Sequence, residues 1–464
     1  MTENRPLTPT VEARAELRQL VRQQLEMLLE EGNLQGAKSL LVPVRPADIA
    51  DAIEGLSEAK QQAIAFRLLS KDEAIEVYEQ LDSTVQQTLI EDFKRQEVLD
   101  IVDKMSPDDR ARLFDELPAK VIARIVGQLS PSERQATALL LGYEPNTAGR
   151  IMTPEYVSLK EAFTVTQAID RIRSLASETE TVYYLYVTDA ARRLTGILSL
   201  RDLVTAYPNQ TIGDVMTRDV ISVSTDTDQE EVARIIQRYD FIAMPVVDAE
   251  HRLVGIITVD DIIDILEEET TEDIYTLGGV QSGREDYFQT NLWVVARRRV
   301  VWLLVLLVTN SITGSIINSQ QDLLQQAIVL ASFIPLLTGT GGNVGAQSST
   351  VVIRGLNTEE LQSKGTLTII VRELMAGALL GLMLGSMAML WAIVMQQDIS
   401  IALAVGISLL SISTLASVAG SGLPFLFQYL GFDPALMSAP FITTVTDVVG
   451  VLIYFAVARA ILGI

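Results

Sequence analysis

Residues 11 to 140 set apolar side chains at helical spacing among charged ones. The run RAELRQLVRQQLEMLLEEGN (14–33) predicts a helix that ends at Gly32-Asn33. Shorter amphipathic units follow, among them RPADIADAIEGL, SKDEAIEVYEQL, SPDDRARLFDELP and SPSERQATALLLG. Several open on Ser or Pro and carry acids in the first turn, which is the chemistry of a helix start. They recur about every 20–25 residues, a period that suggests a small helical solenoid. A plain helical domain without true repeats fits the same pattern.

The pattern then changes to short β-branched runs that occur twice. RIMTPEYVSL (150–159) resembles DVMTRDVISV (214–223), and LTGILSLRDLVTAY (194–207) resembles LVGIITVDDIIDIL (253–266). Each copy reads as a short strand, a helix, two strands and a helix. VYYLYVTD (182–189) and LTGILS (194–199) predict a hairpin, and AMPVVDAEHRLVGIIT predicts its counterpart. Beyond residue 300 the chain turns almost wholly apolar. Five stretches are long enough to cross a bilayer, at about 300–318, 327–353, 370–395, 400–430 and 435–462.

The second of these reads as interrupted. IPLLTGTGGNVGAQSSTVVIRG (334–355) gathers Pro335, Gly339, Gly341, Gly342 and Gly345 around Asn343. Irregular backbone at membrane depth is tolerated where it is buried or lines water, so freed carbonyls and Asn343 are expected to contact a hydrated ion. Close helix packing is the other use of small residues, and it accounts for Gly377, Gly381 and Gly385 in the third span.

The last span carries one acid, Asp447, just after Thr443, Thr444 and Thr446. A carboxylate near mid-membrane costs about 2.5–3.5 kcal/mol on insertion scales, so it faces a protein interior or a water-filled path. Either Asp447 is the cation site of a pore, or it is neutralised by a proton or a partner within the bundle.

Charge sharpens this picture. The chain carries −23 at pH 7, yet from Thr290 onward seven basic residues balance seven acids, so the whole excess lies in the first 289 positions. Such an acidic block repels nucleic acid and attracts multivalent cations. There is no cysteine and one histidine, His251, which excludes disulfides, thiolate metal sites and a zinc-protease HExxH pair. Carboxylates, carbonyls and water remain, ligands that suit Mg²⁺, Ca²⁺ or Mn²⁺. No nucleophile–base set is visible, so the chain is not expected to be an enzyme, and His251 reads as a solvated turn residue. Arg297, Arg298 and Arg299 before the first span, with Arg354, Lys364 and Arg372 between the second and third, place the N-terminal part in the cytoplasm and the C-terminus outside. The N-terminus (MTENRPLTPT) is polar and has no apolar signal core.

Ahead of the membrane, DDIIDILEEETTED (260–273) holds Asp261, Asp264, Glu268, Glu269, Glu272 and Asp273 at helical spacing. Like charges so placed destabilise a helix unless cations neutralise them.

The duplication over residues 149–266 resembles a tandem pair of cystathionine β-synthase (CBS) domains. Such pairs are regulatory and often bind adenine nucleotides. The family's ribose-contacting pattern, a hydroxyl then an acid three residues on, falls on Thr258 with Asp261 and on Ser199 with Asp202; the same residues also suit helix caps.

PLLTGTGGNVGAQSSTVVIRGL, LGFDPALMSAPFITTVTDVVG and YEPNTAGRIMTPEYVSL together resemble the MgtE family of magnesium channels or transporters, and the order of parts agrees over nearly the whole chain. The resemblance implies a multidomain membrane protein. Its parts would be an all-α acidic N-domain (1–142), an α/β CBS pair (143–208 and 209–273), a plug helix (274–295) and an α-helical bundle of five spans per subunit (296–464). It implies a homodimer in the inner (plasma) membrane, with the pore on the two-fold axis. In the pore Asp447 would recognise hydrated Mg²⁺ near Gly339, Gly342 and Asn343, with Asp433 at the cytoplasmic mouth. Cytosolic Mg²⁺ bridging Asp261, Asp264, Glu269, Glu272 and Asp273 is expected to close it, with ATP as a regulatory ligand. Transport of Mn²⁺ or Co²⁺, and a membrane-anchored nucleotide sensor, are the competing functions.

Overall fold

The computed structural model describes residues 11–92, 101–117, 119–176, 179–280, 291–357, 361, 364–434 and 439–463. It divides into two compact units, Met1–Glu267 and Glu268–Ile464, and the division falls within the helix Val259–Leu277.

The first unit begins with the helix Val11–Glu30 and continues in helices of 8 to 10 residues. Pro46–Glu54, Lys71–Glu79, Pro107–Glu116 and Pro131–Leu140 are four of them. Helices this short are marginal alone, so packing must hold them. They share one core that includes Leu25, Ile53, Phe66, Tyr78, Leu89 and Phe114. Their starts are chemically fixed. Ser70 and Glu73 form a reciprocal capping box, and Pro46, Pro107 and Pro131 occupy first-turn positions where no N–H is needed. Arg110 is fully buried, donating to Glu133 Oε2 (2.7 Å), Thr137 Oγ1 (3.1 Å) and the Met105 carbonyl.

Two three-stranded sheets follow, one per repeat. Strands β1 (Ser158–Leu159), β2 (Tyr184–Thr188) and β3 (Leu194–Ser199) run in the order β1-β2-β3. Strands β4 (Val223–Ser224), β5 (Ala243–Val247) and β6 (Leu253–Thr258) repeat it. In each sheet the first pair is parallel and the second is a hairpin. The hairpin turns are matched too. Asp189 accepts from the Ala191 and Arg193 N–H groups, and Asp248 from those of Glu250 and Arg252. His251 occupies the left-handed turn position (φ 60°) and is exposed.

The repeats interlock. Met152 of the first lies against Gly255 of the second, where a Cβ would sit 2.6 Å from its sulfur. Met216 of the second lies likewise against Gly196 of the first. Thr153 N donates to Ile256 O and Thr217 N to Ile197 O, both at 2.8 Å. The duplicated Met-Thr dipeptide is thus the clasp of the pair.

The second unit has five helices long and apolar enough to cross a membrane among the described residues: Leu292–Ser319, Ile328–Leu356, Thr366–Gln396, Ile399–Tyr429 and Pro440–Leu462. The first starts before the arginine triplet, so Arg297, Arg298 and Arg299 lie inside a helix rather than ahead of one. Nothing in LWVVARRR breaks a helix, which therefore runs past the apolar stretch. The third and fourth spans pack by close approach. A Cβ at Gly377 would meet Ser417 Oγ at 2.5 Å, and one at Gly381 would meet the Leu410 carbonyl at 2.8 Å.

The expected interruption of the second span is absent. A 3-10 turn, Ile328–Phe333, leads into an unbroken helix, Ile334–Asn357, that runs straight through GTGGN. Pro335 stands in its first turn, where the missing N–H costs nothing. Intrinsic propensity disfavours so many glycines in a helix, but without water every broken backbone bond would cost more. The freed carbonyls expected there do not exist.

Residues 274–277 close the helix begun at Val259, and Gly279 (φ +67°) stops it. The middle of the expected plug helix, 281–290, lies outside the described residues.

Candidate functional site

The last span, Ala439–Leu462, presents its threonines differently from one another. Thr444 and Thr446 are buried, and their hydroxyls donate to Pro440 O (2.8 Å) and to Ile442 O and Thr443 O (3.0 and 2.8 Å). Hydroxyls committed to the preceding turn in this way are local fittings of the helix. Thr443 is half-buried and turns its methyl toward the second span, where a Cβ on Gly342 would approach within 2.5 Å. Asp447 lies one turn beyond Thr443. Its Oδ1 is enclosed by protein and accepts no hydrogen bond among the described residues.

The second span supplies the opposite wall. Gly341, Gly342, Gly345, Ser348, Ser349 and Val352 form its buried face. Gly339, Asn343, Gln347 and Thr350 stand on the other side, exposed, at helical spacing. Thr350 Oγ1 donates to the Ala346 carbonyl of its own helix at 2.9 Å, but the Asn343 and Gln347 amides find no partner in lipid tails, so this face requires water or protein. Gly342 and Gly345 meet the last span, while Gly339 has open space around it. No cage of three or more Asp, Glu, His or Cys residues exists among the described residues.

A second group of acids lies in the first unit. Asp108 and Asp109 open the helix Pro107–Glu116, and Asp261 opens Val259–Leu277. Their charges act on one another and on that of Glu180, and the charge of Asp109 acts on Glu79. Burial, then repulsion from Asp261, holds the Asp108 carboxyl well above the usual carboxylate range. Burial also pushes Asp261 up to about 7, with Asp109, Asp260 and Glu180 adding to it and Thr258 opposing. Glu79 rises to about 7, by burial and then by Asp109. Asp108 Oδ1 accepts no hydrogen bond among the described residues.

The sensor acids named from sequence are spread out. Asp261 joins this cluster, and Asp264 is exposed and pairs with Arg112 (3.1 Å). Glu269, Glu272 and Asp273 belong to the second unit, as does the exposed Asp433. Glu79, Asp108, Asp109 and Glu180 were not singled out by sequence. The one available signal was the Ser-Pro-Asp-Asp start, which reads equally as a cap.

The hydroxyl–acid pairs of the repeats are engaged locally. Ser199 and Asp202 form a capping box, and Thr258 Oγ1 donates to Asp261 Oδ2 at 2.6 Å.

Residues 334–457 match the family described as "Divalent cation transporter", residues 44–146 the "MgtE intracellular N domain", and 148–209 and 212–268 the CBS domain. "Magnesium transporter MgtE" of Bacillus subtilis is 36% identical over 434 residues, covering 94% of this chain and 96% of its own. The chain belongs to the MgtE family. The MgtE of Thermus thermophilus is 44% identical over 329 residues, 71% of this chain and 73% of that one. The crystal structure of the cytosolic domain of the Mg²⁺ channel MgtE in complex with ATP superposes with a TM-score of 0.50 at 38% identity. It covers 53% of this chain and 99% of that one. The soluble part of a magnesium transporter also gives 0.50, at 31% identity, with 54% and 99% coverage. The chain is thus a multi-pass membrane protein of a transporter family, with a helical N-domain, a CBS pair and a helical membrane bundle.

Proposed function

We propose that this protein conducts Mg²⁺ into the cytoplasm as a homodimer, with the N-terminal part cytoplasmic. The observation that carries the reading is the enclosed, unpartnered Asp447 carboxylate oxygen, on a helix packed against the polar-faced second span. Mg²⁺ sheds water reluctantly and demands octahedral geometry. One carboxylate per subunit, with Thr443 one turn before it and Asn343 on the exposed face of the second span, suits the hydrated ion held through its outer shell. Such a site binds firmly enough to select charge and weakly enough to release. The relatives named as magnesium transporters favour Mg²⁺ over Mn²⁺ or Co²⁺ as the cargo. Asp433 would serve as an acid at the cytoplasmic mouth.

Cytosolic Mg²⁺ closes the pore. Asp108, Asp109, Glu180 and Asp261 form no ready-made cage, but their charges repel one another, and a hydrated divalent cation drawn to their common field lowers that repulsion. Asp264, Glu269, Glu272 and Asp273 continue the acids along the helix Val259–Leu277. A ligand that binds the compact state better shifts the population toward it, which gives negative feedback. ATP is a second regulatory ligand. That reading is supported by the ATP complex of the relative and by the paired Ser199–Asp202 and Thr258–Asp261 positions.

The test is ion uptake into liposomes with the lumen chelated. Wild type should take up Mg²⁺, and Asp447→Asn and Asp447→Ala should not, at equal incorporation. Persistent flux in both variants would place selection elsewhere. Equal flux of Mn²⁺ or Co²⁺ would widen the cargo.

A further inference from the structure

A second carboxylate lies within the spans, and the transport reading above does not use it. Glu373 of the third span accepts a hydrogen bond from Ser348 Oγ at 2.6 Å, and Ser348 Oγ lies 3.1 Å from Ser417 Oγ. Ser348 and Ser417 are buried, at 5% and 1% exposure. Ser348 Oγ is thus within hydrogen-bond reach of Glu373 on one side and of Ser417 on the other. Three spans therefore meet at one polar chain. Their backbones are drawn together around it, because a Cβ at Gly377 would strike Ser417 and one at Gly420 would strike the Gly345 carbonyl.

We propose that Glu373 is a positioning residue that fixes the rotation of the second span through Ser348. Ser348 belongs to the buried face of that span, and Asn343 and Gln347 to the exposed face. A bond on one side of a helix sets where the other side points. The glycines beside it cannot do this alone, since a surface without side chains lets a helix turn. Ser348 supplies the missing register and Glu373 the fixed acceptor. Glu373 itself contacts no cargo. The inference rests on the pore reading for its consequence, but not for its geometry.

The chain has no cysteine, so Asn343→Cys introduces a single reporter. The full-length protein is reconstituted, and the rate of modification by a charged, membrane-impermeant thiol reagent is measured in this background. Adding Glu373→Ala should slow modification about tenfold or more, since displacements of an ångström have effects of that order. Adding Glu373→Gln, which keeps an acceptor at the same place, should restore the rate to within about threefold. Mg²⁺ flux, measured in the same variants with Asn343 intact, should follow that order. Ser417→Ala should give an intermediate rate and serves if Glu373→Ala does not fold. Unchanged labelling in both Glu373→Ala and Ser417→Ala overturns the proposal. So does flux lost equally in the Ala and Gln variants with labelling unchanged, which would make the charge the acting feature. Labelling needs no transport, so a parent protein that labels normally but passes no Mg²⁺ removes the transport reading and leaves this one standing.

Discussion

Gly342 of the second span lies under the methyl group of Thr443 in the last, so closely that a Cβ at 342 would stand 2.5 Å from it. This contact sets how near the second span comes to the turn that carries Asp447. Overpacking of a filled contact costs about 1–3 kcal/mol. Gly342→Ala is therefore expected to cut Mg²⁺ flux strongly while helix content by circular dichroism holds. Gly342→Ala combined with Thr443→Ser, which deletes the obstructing methyl, is expected to recover much of it. A double variant no better than the single one would deny that this contact matters.

The acids of the first unit tie stability to pH. Asp261 and Glu79 ionise near 7 in the folded protein, against about 4 when unfolded. A raised carboxylate favours the fold when protonated, and that contribution disappears as pH climbs through 7. In the absence of divalent ions, thermal unfolding of the first unit should occur at higher temperature near pH 5.5 than near pH 8. Added Mg²⁺ should raise it most near pH 8, where protons no longer compete. A Mg²⁺ effect equal at both pH values would exclude these groups as its site.

Asp108→Asn removes one charge from that cluster and keeps its shape. Without Mg²⁺ the variant should be more stable than wild type at pH 8. It should also gain less from Mg²⁺, and its pore should stay open to higher cytosolic Mg²⁺. Patch-clamp or flux titration reads the last effect. Glu269→Gln with Glu272→Gln should shift the same titration in the same direction, and an unchanged closing concentration would remove that pair from the sensor.

Gly279 ends the helix Val259–Leu277 in a left-handed conformation, with the Trp302 ring of the first span where a Cβ would go. Trp302 in turn lies 6.5 Å, centroid to centroid, from Phe441 at the start of the last span. Gly279→Ala meets both a strained φ, costing about 1–2 kcal/mol, and a blocked space. It should lower the unfolding temperature and shift tryptophan emission. Gly278→Ala, at a roomier position with ordinary φ, should do neither.

What sequence reveals of this fold follows from the range of the forces involved. The hairpins and their Asp189 and Asp248 turns are local, and the duplication displays them twice, so they are readable. The clasp between Met152 and Gly255 is not, because it joins positions about a hundred residues apart. The glycines of GTGGN mislead for a different reason. Their weak helix propensity is a property measured in water, and in the bilayer the cost of a bare carbonyl outweighs it. Asp108 and Asp109 read as ordinary helix-start acids until folding brings the charge of Asp261 to bear on them. Glu373 escapes notice beside Arg372, where it passes for a charge at the membrane edge. Only the hydroxyls of Ser348 and Ser417, supplied by two other spans, give it a purpose.

The unbroken helix through GTGGN has a kinetic consequence. Its carbonyls are already committed to its own amides, so a bare ion passing Asn343 would find no ring of oxygens to replace its lost water. On the proposed route the ion crosses with its hydration shell whole. Throughput is then independent of how fast a metal exchanges its ligands, a property in which Mg²⁺ is among the slowest of divalent ions. It depends instead on driving voltage and on the fraction of time the gate stands open.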